Sequence, residues 1–224
     1  MICYFENDKW YQLTGIGKLP VAIETVINPY YLPKKITGLR VRRLQNVKPV
    51  TLVTADRGEW IWSVIMKVLM LDIDGVLTTV STKWKTFHPD CVKALKRVIE
   101  TTGAKIVLSS SWRHGFIDWR TEEHRLVNPN EAIPVMKELF ADCGLPAEAL
   151  IDKTPFCKSE HRGDEISKWL EIHSKELGVE QYVVLDDDPA VDPHHAHFVQ
   201  TSWGDGMNEK DADKAILILT STTQ

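Results

Sequence analysis

The sequence predicts an α/β fold: a parallel sheet covered by helices on both faces, preceded by a small β-rich module. Three observations predict it. From residue 66 onward, short apolar runs alternate with amphipathic stretches of helical period, the order that builds a parallel sheet through helical crossovers. The runs are apolar at every position instead of every second one, as strands buried on both faces are. Three of them also end in polar clusters, Asp72-Ile73-Asp74-Gly75, Ser109-Ser110-Ser111 and Asp186-Asp187-Asp188. Open α/β sheets keep their sites at the carboxyl ends of their strands.

Residues 1–65 read differently from the rest. β-branched and aromatic residues are broken by Gly15, Gly17, Pro20, Pro29, Pro33, Gly38 and Pro49, a pattern of short strands and turns without a convincing helix. No acid lies between Glu24 and Asp56, while Lys34, Lys35, Arg40, Arg42, Arg43 and Lys48 are basic. Such a run is either a charged strand edge that resists aggregation or a patch for a phosphate backbone. Met66 opens a natural second domain, 66–224, and the upstream 65 residues are an added module or an extension of the reading frame.

In that second domain "KVLMLD" (67–72) reads as the first strand. "HPDCVKALKRVIETTG" (88–103) reads as a helix with Pro89 near its start, Gly103 after its end and Val92, Leu95, Val98 and Ile99 as its buried stripe. "AKIVLS" (104–109) is the next strand. Helices follow at 130–144, on Ile133, Met136, Leu139 and Phe140, and at 163–173, on Ile166, Trp169 and Leu170. "YVVLD" (182–186) and "HFVQT" (197–201) are strands, and 209–219 is a closing helix with Asn208 as its N-cap.

Composition excludes several classes. The chain has 224 residues, 43% hydrophobic and 26% charged, with a net charge of −4, ordinary for a globular protein and no magnet as a whole for nucleic acid. No apolar run is long enough for a membrane span, and the N-terminus lacks the pattern of a signal peptide. The four cysteines are scattered without a CxxC pair, which suits reduced thiols better than a disulfide framework or zinc site. The expectation is a cytoplasmic protein with no membrane partner.

The acids carry the functional signal. Asp72 and Asp74 lie one residue apart, on one face of the strand if it ran on. Neighbouring parallel strands would gather them with Asp186 and Asp187. Like charges so close raise one another's pKa and cost free energy unless a cation lies between them. Oxygen ligands suit Mg²⁺, usually held by one or two carboxylates plus a phosphate. Taken singly, each cluster has a structural alternative: a solvated strand end, a turn, or a helix cap. "DPHHAHF" offers His194, His195 and His197 as transition-metal ligands, but surface or core histidines explain them as well.

"LDIDGVL", "IVLSSSW", a basic residue at a helix start and "VVLDDD" resemble the four motifs of the haloacid dehalogenase (HAD) superfamily of phosphohydrolases. The closest resemblance is to the compact HAD domains of Swiss Army knife RNA-repair proteins: Ser110 before Trp112, Arg162 seven residues before Trp169-Leu170, and Asp186-Asp187. It covers roughly residues 66–220 and implies a HAD-like three-layer sandwich. It also implies that Asp72 is a nucleophile forming an aspartyl-phosphate and that Asp74 is the acid and base. Ser110, or Ser109 beside it, would hydrogen-bond the phosphoryl group. Arg162 would neutralise charge, in place of the superfamily's usual lysine, with Lys158 as the alternative. Mg²⁺ would be held by Asp72, Asp186, Asp187 and the Asp74 carbonyl.

The spacings leave no room for a large cap, and the resemblance associates an open site with large substrates. Phosphorylated RNA or DNA ends are therefore the first expectation and free nucleotides the second. Trp112 and Arg113 are the candidates to stack on or grip a base or phosphate, but core packing is the favoured reading of Trp112, since buried aromatics outnumber stacking platforms. A rival from another class is a non-catalytic phosphate- or RNA-binding adaptor on the same scaffold. Mutually repelling carboxylates argue against it, and the adjacent DxDG pattern argues against a receiver domain.

Overall fold

In a computed structural model, the chain divides into two compact units, Met1–Ile65 and Met66–Gln224. The structure describes residues 66–221 in full, and in the first unit the backbone of five strands. These are β1 (Ile2–Glu6), β2 (Lys9–Thr14), β3 (Gly17–Val21), β4 (Val50–Thr54) and β5 (Trp60–Val64). They form an antiparallel sheet in the order β3-β2-β1-β5-β4, with Tyr4 opposite Tyr11 and Leu52 opposite Trp62. The basic run from Lys34 to Lys48 lies outside the described residues.

The second unit is built on five parallel strands: β6 (Met66–Leu71), β7 (Lys105–Leu108), β10 (Leu150–Lys153), β11 (Val179–Asp186) and β12 (Phe198–Gln200). Their order is β10-β7-β6-β11-β12. A short antiparallel hairpin, β8 (Phe116–Asp118) with β9 (Arg125–Val127), stands outside the sheet. Period two along each strand sorts the core. Leu69, Leu71, Ile106, Leu108, Val183 and Leu185 point to one face, where they meet α1 (Pro89–Thr102), α2 (Ala132–Asp142) and α4 (Glu209–Thr220). Val68, Met70, Val107 and Val184 point to the other, under Ile166 and Trp169 of α3 (Arg162–Leu177). Three layers result because both faces of the sheet are apolar and each needs a cover.

Local chemistry sets the helix ends. Pro89 starts α1 behind the capping side chain of His88, and Gly103 closes it at φ 67°. Asn208 accepts from the Lys210 and Asp211 amides while Asp211 reaches back, a capping box for α4. Strand β10 and the β8–β9 hairpin are additions to the elements the sequence pattern marks. β10 is four residues long and half-buried at a sheet edge, too short and too polar to carry a strand signature. Neither the segment between Asp74 and Ser110 nor that between Ser110 and Arg162 builds a separate domain. Among the described residues no helix is long and apolar enough to cross a membrane, and Cys91, Cys143 and Cys157 are free thiols.

The strand order reverses at β6. The chain moves outward through β7 and β10, then crosses over by α3 to β11 on the other flank. Two loops leave in opposite directions at that point, and a crevice opens at the carboxyl ends of β6 and β11.

Candidate active site

Asp72 sits at this switch point. Its amide donates to the Leu185 carbonyl at 2.9 Å on one side, and the Ser109 amide donates to the Leu71 carbonyl at 2.7 Å on the other. The carboxylate accepts the Ile73 N–H at 2.7 Å, and the Ser110 hydroxyl lies near enough to lower its pKa. Beyond it the chain winds into one tight turn, in which the Leu77 and Thr78 amides donate to the Ile73 carbonyl at 2.8 and 3.0 Å. Gly75 permits that turn. Its φ is +70°, and a Cβ there would lie 2.5 Å from Asp187 Cγ, so both the backbone and the neighbouring acid require glycine.

Asp74 faces a different set of partners. One carboxylate oxygen accepts the Thr78 hydroxyl at 2.7 Å and the other the Trp112 indole N–H at 2.9 Å. Trp112 lies in a 3₁₀ turn, Ser111–His114, whose first free amide is capped by the Ser110 hydroxyl at 3.3 Å. Thr78 was legible in principle, since it stands four residues after Asp74 in a tight turn. The Trp112 contact joins residues 38 apart, and no local pattern signals it.

Arg162 opens α3 and reaches back across the crevice. Its guanidinium donates to the Ser109 carbonyl, lies 3.4 Å from an Asp72 oxygen and brings Nε to 3.1 Å from Asp186 Oδ2. Lys158 is exposed in the preceding loop, so Arg162 is the cation that meets these acids. Of the two serines, Ser110 turns its hydroxyl to Asp72, whereas Ser109 Oγ is buried without a partner.

Trp112 and Arg113 are placed otherwise than a substrate grip requires. Trp112 is only 8% exposed and stacks on Phe116 at 4.6 Å. Arg113 is buried against Glu165, with a second bond to the Ser110 carbonyl at 2.6 Å. It reaches the wall of a cavity of about 360 Å³ shared with Arg162, Phe156 and Asp188, but its charge is spent on Glu165. Burial explains the difference: a guanidinium taken out of water needs a carboxylate of its own.

Asp72, Asp186 and Asp187 bring carboxylate oxygens within 4.8 Å of one another. The Asp74 carboxylate is outside this group, held by Thr78 and Trp112. Asp188 turns away to form the loop, its amide donating to Asp186 Oδ1 at 3.0 Å and its carboxylate accepting from Ala190 at 2.9 Å. Burial raises the Asp72 carboxyl, more than Arg162, Ser110 and Ile73 lower it. Burial, and after it the charge of Asp72, pushes Asp186 up to about 8 and also raises Asp187. One guanidinium thus stands among three acids, and the buried Asp186 Oδ2 has the Arg162 ion pair but no aligned hydrogen bond. That all-oxygen donor set, with negative charge in excess, fits a hard cation such as Mg²⁺.

The histidines do not converge on a metal site. His194 is buried, with the Tyr182 hydroxyl at 2.9 Å and the Gly163 carbonyl at 3.0 Å on its two ring nitrogens. His195 pairs with Asp192 at 2.8 Å, and His197 stacks on Tyr182 at 4.1 Å.

Compared with known protein families, residues 68–212 match the family described as the HAD domain in Swiss Army Knife RNA repair proteins. No curated protein and no solved structure matches the chain.

Proposed function

This chain belongs to the family of HAD domains in Swiss Army Knife RNA repair proteins, within a superfamily of hydrolases and phosphatases. On that premise we propose that it is a phosphomonoester hydrolase working through an Asp72 phosphoryl intermediate, with phosphorylated polynucleotide ends as substrate. One observation carries the reading: a buried carboxylate at the strand-order switch point is met at once by a guanidinium, a hydroxyl and a backbone N–H, with two further acids beside it.

The chemistry follows from these positions. An Asp72 oxygen bonds to phosphorus as the bond from phosphorus to the leaving oxygen breaks, and Asp74 gives its proton to that oxygen. Asp74, now a carboxylate, takes a proton from water, whose oxygen attacks the same phosphorus. Inorganic phosphate leaves and Asp72 is free again. Thr78 and Trp112 hold Asp74 at both oxygens for these two transfers. The Ser110 hydroxyl and Arg162 are aimed at the space where charge develops on the phosphoryl oxygens, and such fixed dipoles and charges supply most of the rate in this kind of site. Asp72, Asp186 and Asp187 would hold Mg²⁺, which supplies positive charge against the carboxylates and the phosphoryl group.

The lack of an inserted domain between Asp74 and Arg162 supports a large substrate. The test is phosphate release with and without Mg²⁺, from an aryl phosphate and from oligonucleotides phosphorylated at the 5′ or the 3′ end. Metal-dependent release by the wild type, abolished in Asp72→Asn, is the expected result. No release from any of them by a folded protein would refute the enzyme and favour a phosphate-binding adaptor.

A further inference from the structure

The segment that follows Asp74 carries an aromatic surface that the phosphoryl chemistry does not use. It starts at Thr78, whose hydroxyl holds Asp74, and returns at His88, whose amide donates to the Leu77 carbonyl at 2.7 Å. At its tip Lys83 and Trp84 both have positive φ, 53° and 60°, a conformation that a bulky side chain rarely adopts. Hydroxyls enforce it. Thr79 and Thr82 exchange hydrogen bonds between backbone and side chain, and Thr79 also meets the Ser81 hydroxyl at 2.8 Å.

This strained tip sets half-buried Trp84 against Trp203, with ring centroids 4.7 Å apart and planes tilted by 42°. Trp203 is 61% exposed and Val80 51%. Trp203 is anchored to the same turn as Asp74: Thr201, two residues before it, donates its hydroxyl to the Gly75 carbonyl at 2.6 Å, and the Val80 amide donates to the Gly204 carbonyl at 3.1 Å. An exposed tryptophan gains nothing for the fold by facing water, since its apolar area stays hydrated. Charge indicates what covers it. From Gly75 to Pro89 there is no acid; Lys83 is exposed at the tip, and Lys85 on the other side of Trp84 lies over the Trp119 ring at 4.2 Å. The one acid of the Trp203 loop, Asp205, is bonded to the Ser202 hydroxyl at 3.1 Å.

We propose that Trp84 and Trp203 form a stacking platform for the bases of a single-stranded polynucleotide whose phosphorylated end lies at Asp72. This rests on the reading of the site as a phosphatase of polynucleotide ends. Aromatic faces bind any base, and neighbouring cations follow the phosphate backbone. The platform therefore binds with little sequence preference and places the terminal phosphate toward the acids. The 4.7 Å between the two ring centroids leaves no room for a base between them, so stacking occurs on the exposed face of Trp203.

Equilibrium binding tests this without turnover. The full-length Asp72→Asn protein is titrated into a fluorescent single-stranded oligoribonucleotide with a terminal phosphate, alone and with Trp203→Ala, Trp203→Phe or Trp84→Gly added. Trp203→Ala should weaken binding about 5- to 150-fold, the loss of one stacked base, while Trp203→Phe restores most of it. Trp84→Gly removes the second ring and relaxes the positive φ, so it should weaken binding without lowering the melting temperature. Equal affinity of the Trp203→Ala protein and its parent, or no binding by the parent, overturns the proposal. So does a Trp203-dependent dimer with unchanged oligonucleotide affinity, which would assign the surface to a second copy of the chain. Aryl phosphate hydrolysis by the wild type separates the two readings. Turnover without Trp203-dependent binding leaves the phosphatase and removes the platform. Trp203-dependent binding without turnover on any phosphate keeps the stacking surface and removes the enzyme.

Discussion

Trp112→Phe isolates one atom of the site. Phenylalanine keeps an aromatic ring against Phe116, where Trp112 now stacks at 4.6 Å, and deletes the indole N–H that donates to Asp74 at 2.9 Å. A hydrogen bond to a charged group contributes about 1.5–3 kcal/mol, and each 1.36 kcal/mol is about tenfold in rate. If the bond positions Asp74 only for the transfers, kcat falls about 10- to 150-fold while KM changes little. The smaller ring leaves part of a buried site unfilled, a stability loss of about 1–3 kcal/mol that urea unfolding measures separately. The kinetic assay is metal-dependent aryl phosphate turnover, read as kcat and KM separately, because a positioning contact acts on the transfers and not on ground-state binding. A variant with unchanged kcat, folded and stable, would refute the assignment of Trp112 as a positioning residue.

Glu165→Ala should destabilise the second unit by about 3–5 kcal/mol, because Arg113 is then a buried and unpaired charge; a urea midpoint close to wild type would contradict it. Burial holds the His194 pKa below its ordinary 6.5. The unfolded chain thus takes up the proton first, and the stability this residue contributes is complete above pH 6.5 and lost as pH falls through the folded value. Its surroundings, the Tyr182 and Ser167 hydroxyls, the Gly163 carbonyl and the ring of His197, offer no acid to hold a charged imidazolium. Denaturant midpoints measured downward from pH 7.5 should fall in the wild type and fall less in His194→Asn; parallel curves would refute this. Mg²⁺ should raise the wild-type melting temperature by binding the folded state and have little effect on Asp186→Asn. An equal rise in both would place the cation elsewhere.

The sequence by itself determined the sheet and the location of its site. Continuous apolar runs such as Val68–Leu71 and Val183–Leu185 can be satisfied only between two layers, and acids at their carboxyl ends mark the crevice before any fold is known. It also determined local ends, such as the Asn208 cap and the turn at Gly75, because capping and positive φ depend on neighbouring residues alone. The tertiary structure decided how the side chains are shared out. Trp112 and Arg113 follow the serine cluster, and spacing alone names no partner for either, yet one is drawn to Asp74 and the other to Glu165, 52 residues away. Arg162 rather than Lys158 meets Asp72 and Asp186 because it opens α3, facing the crevice, while Lys158 lies in the loop before it. Ser110 rather than Ser109 faces Asp72 because adjacent residues at a strand end point opposite ways. Such choices depend on long-range burial and on competition for a few charges and hydrogen bonds, which spacing along the chain does not encode.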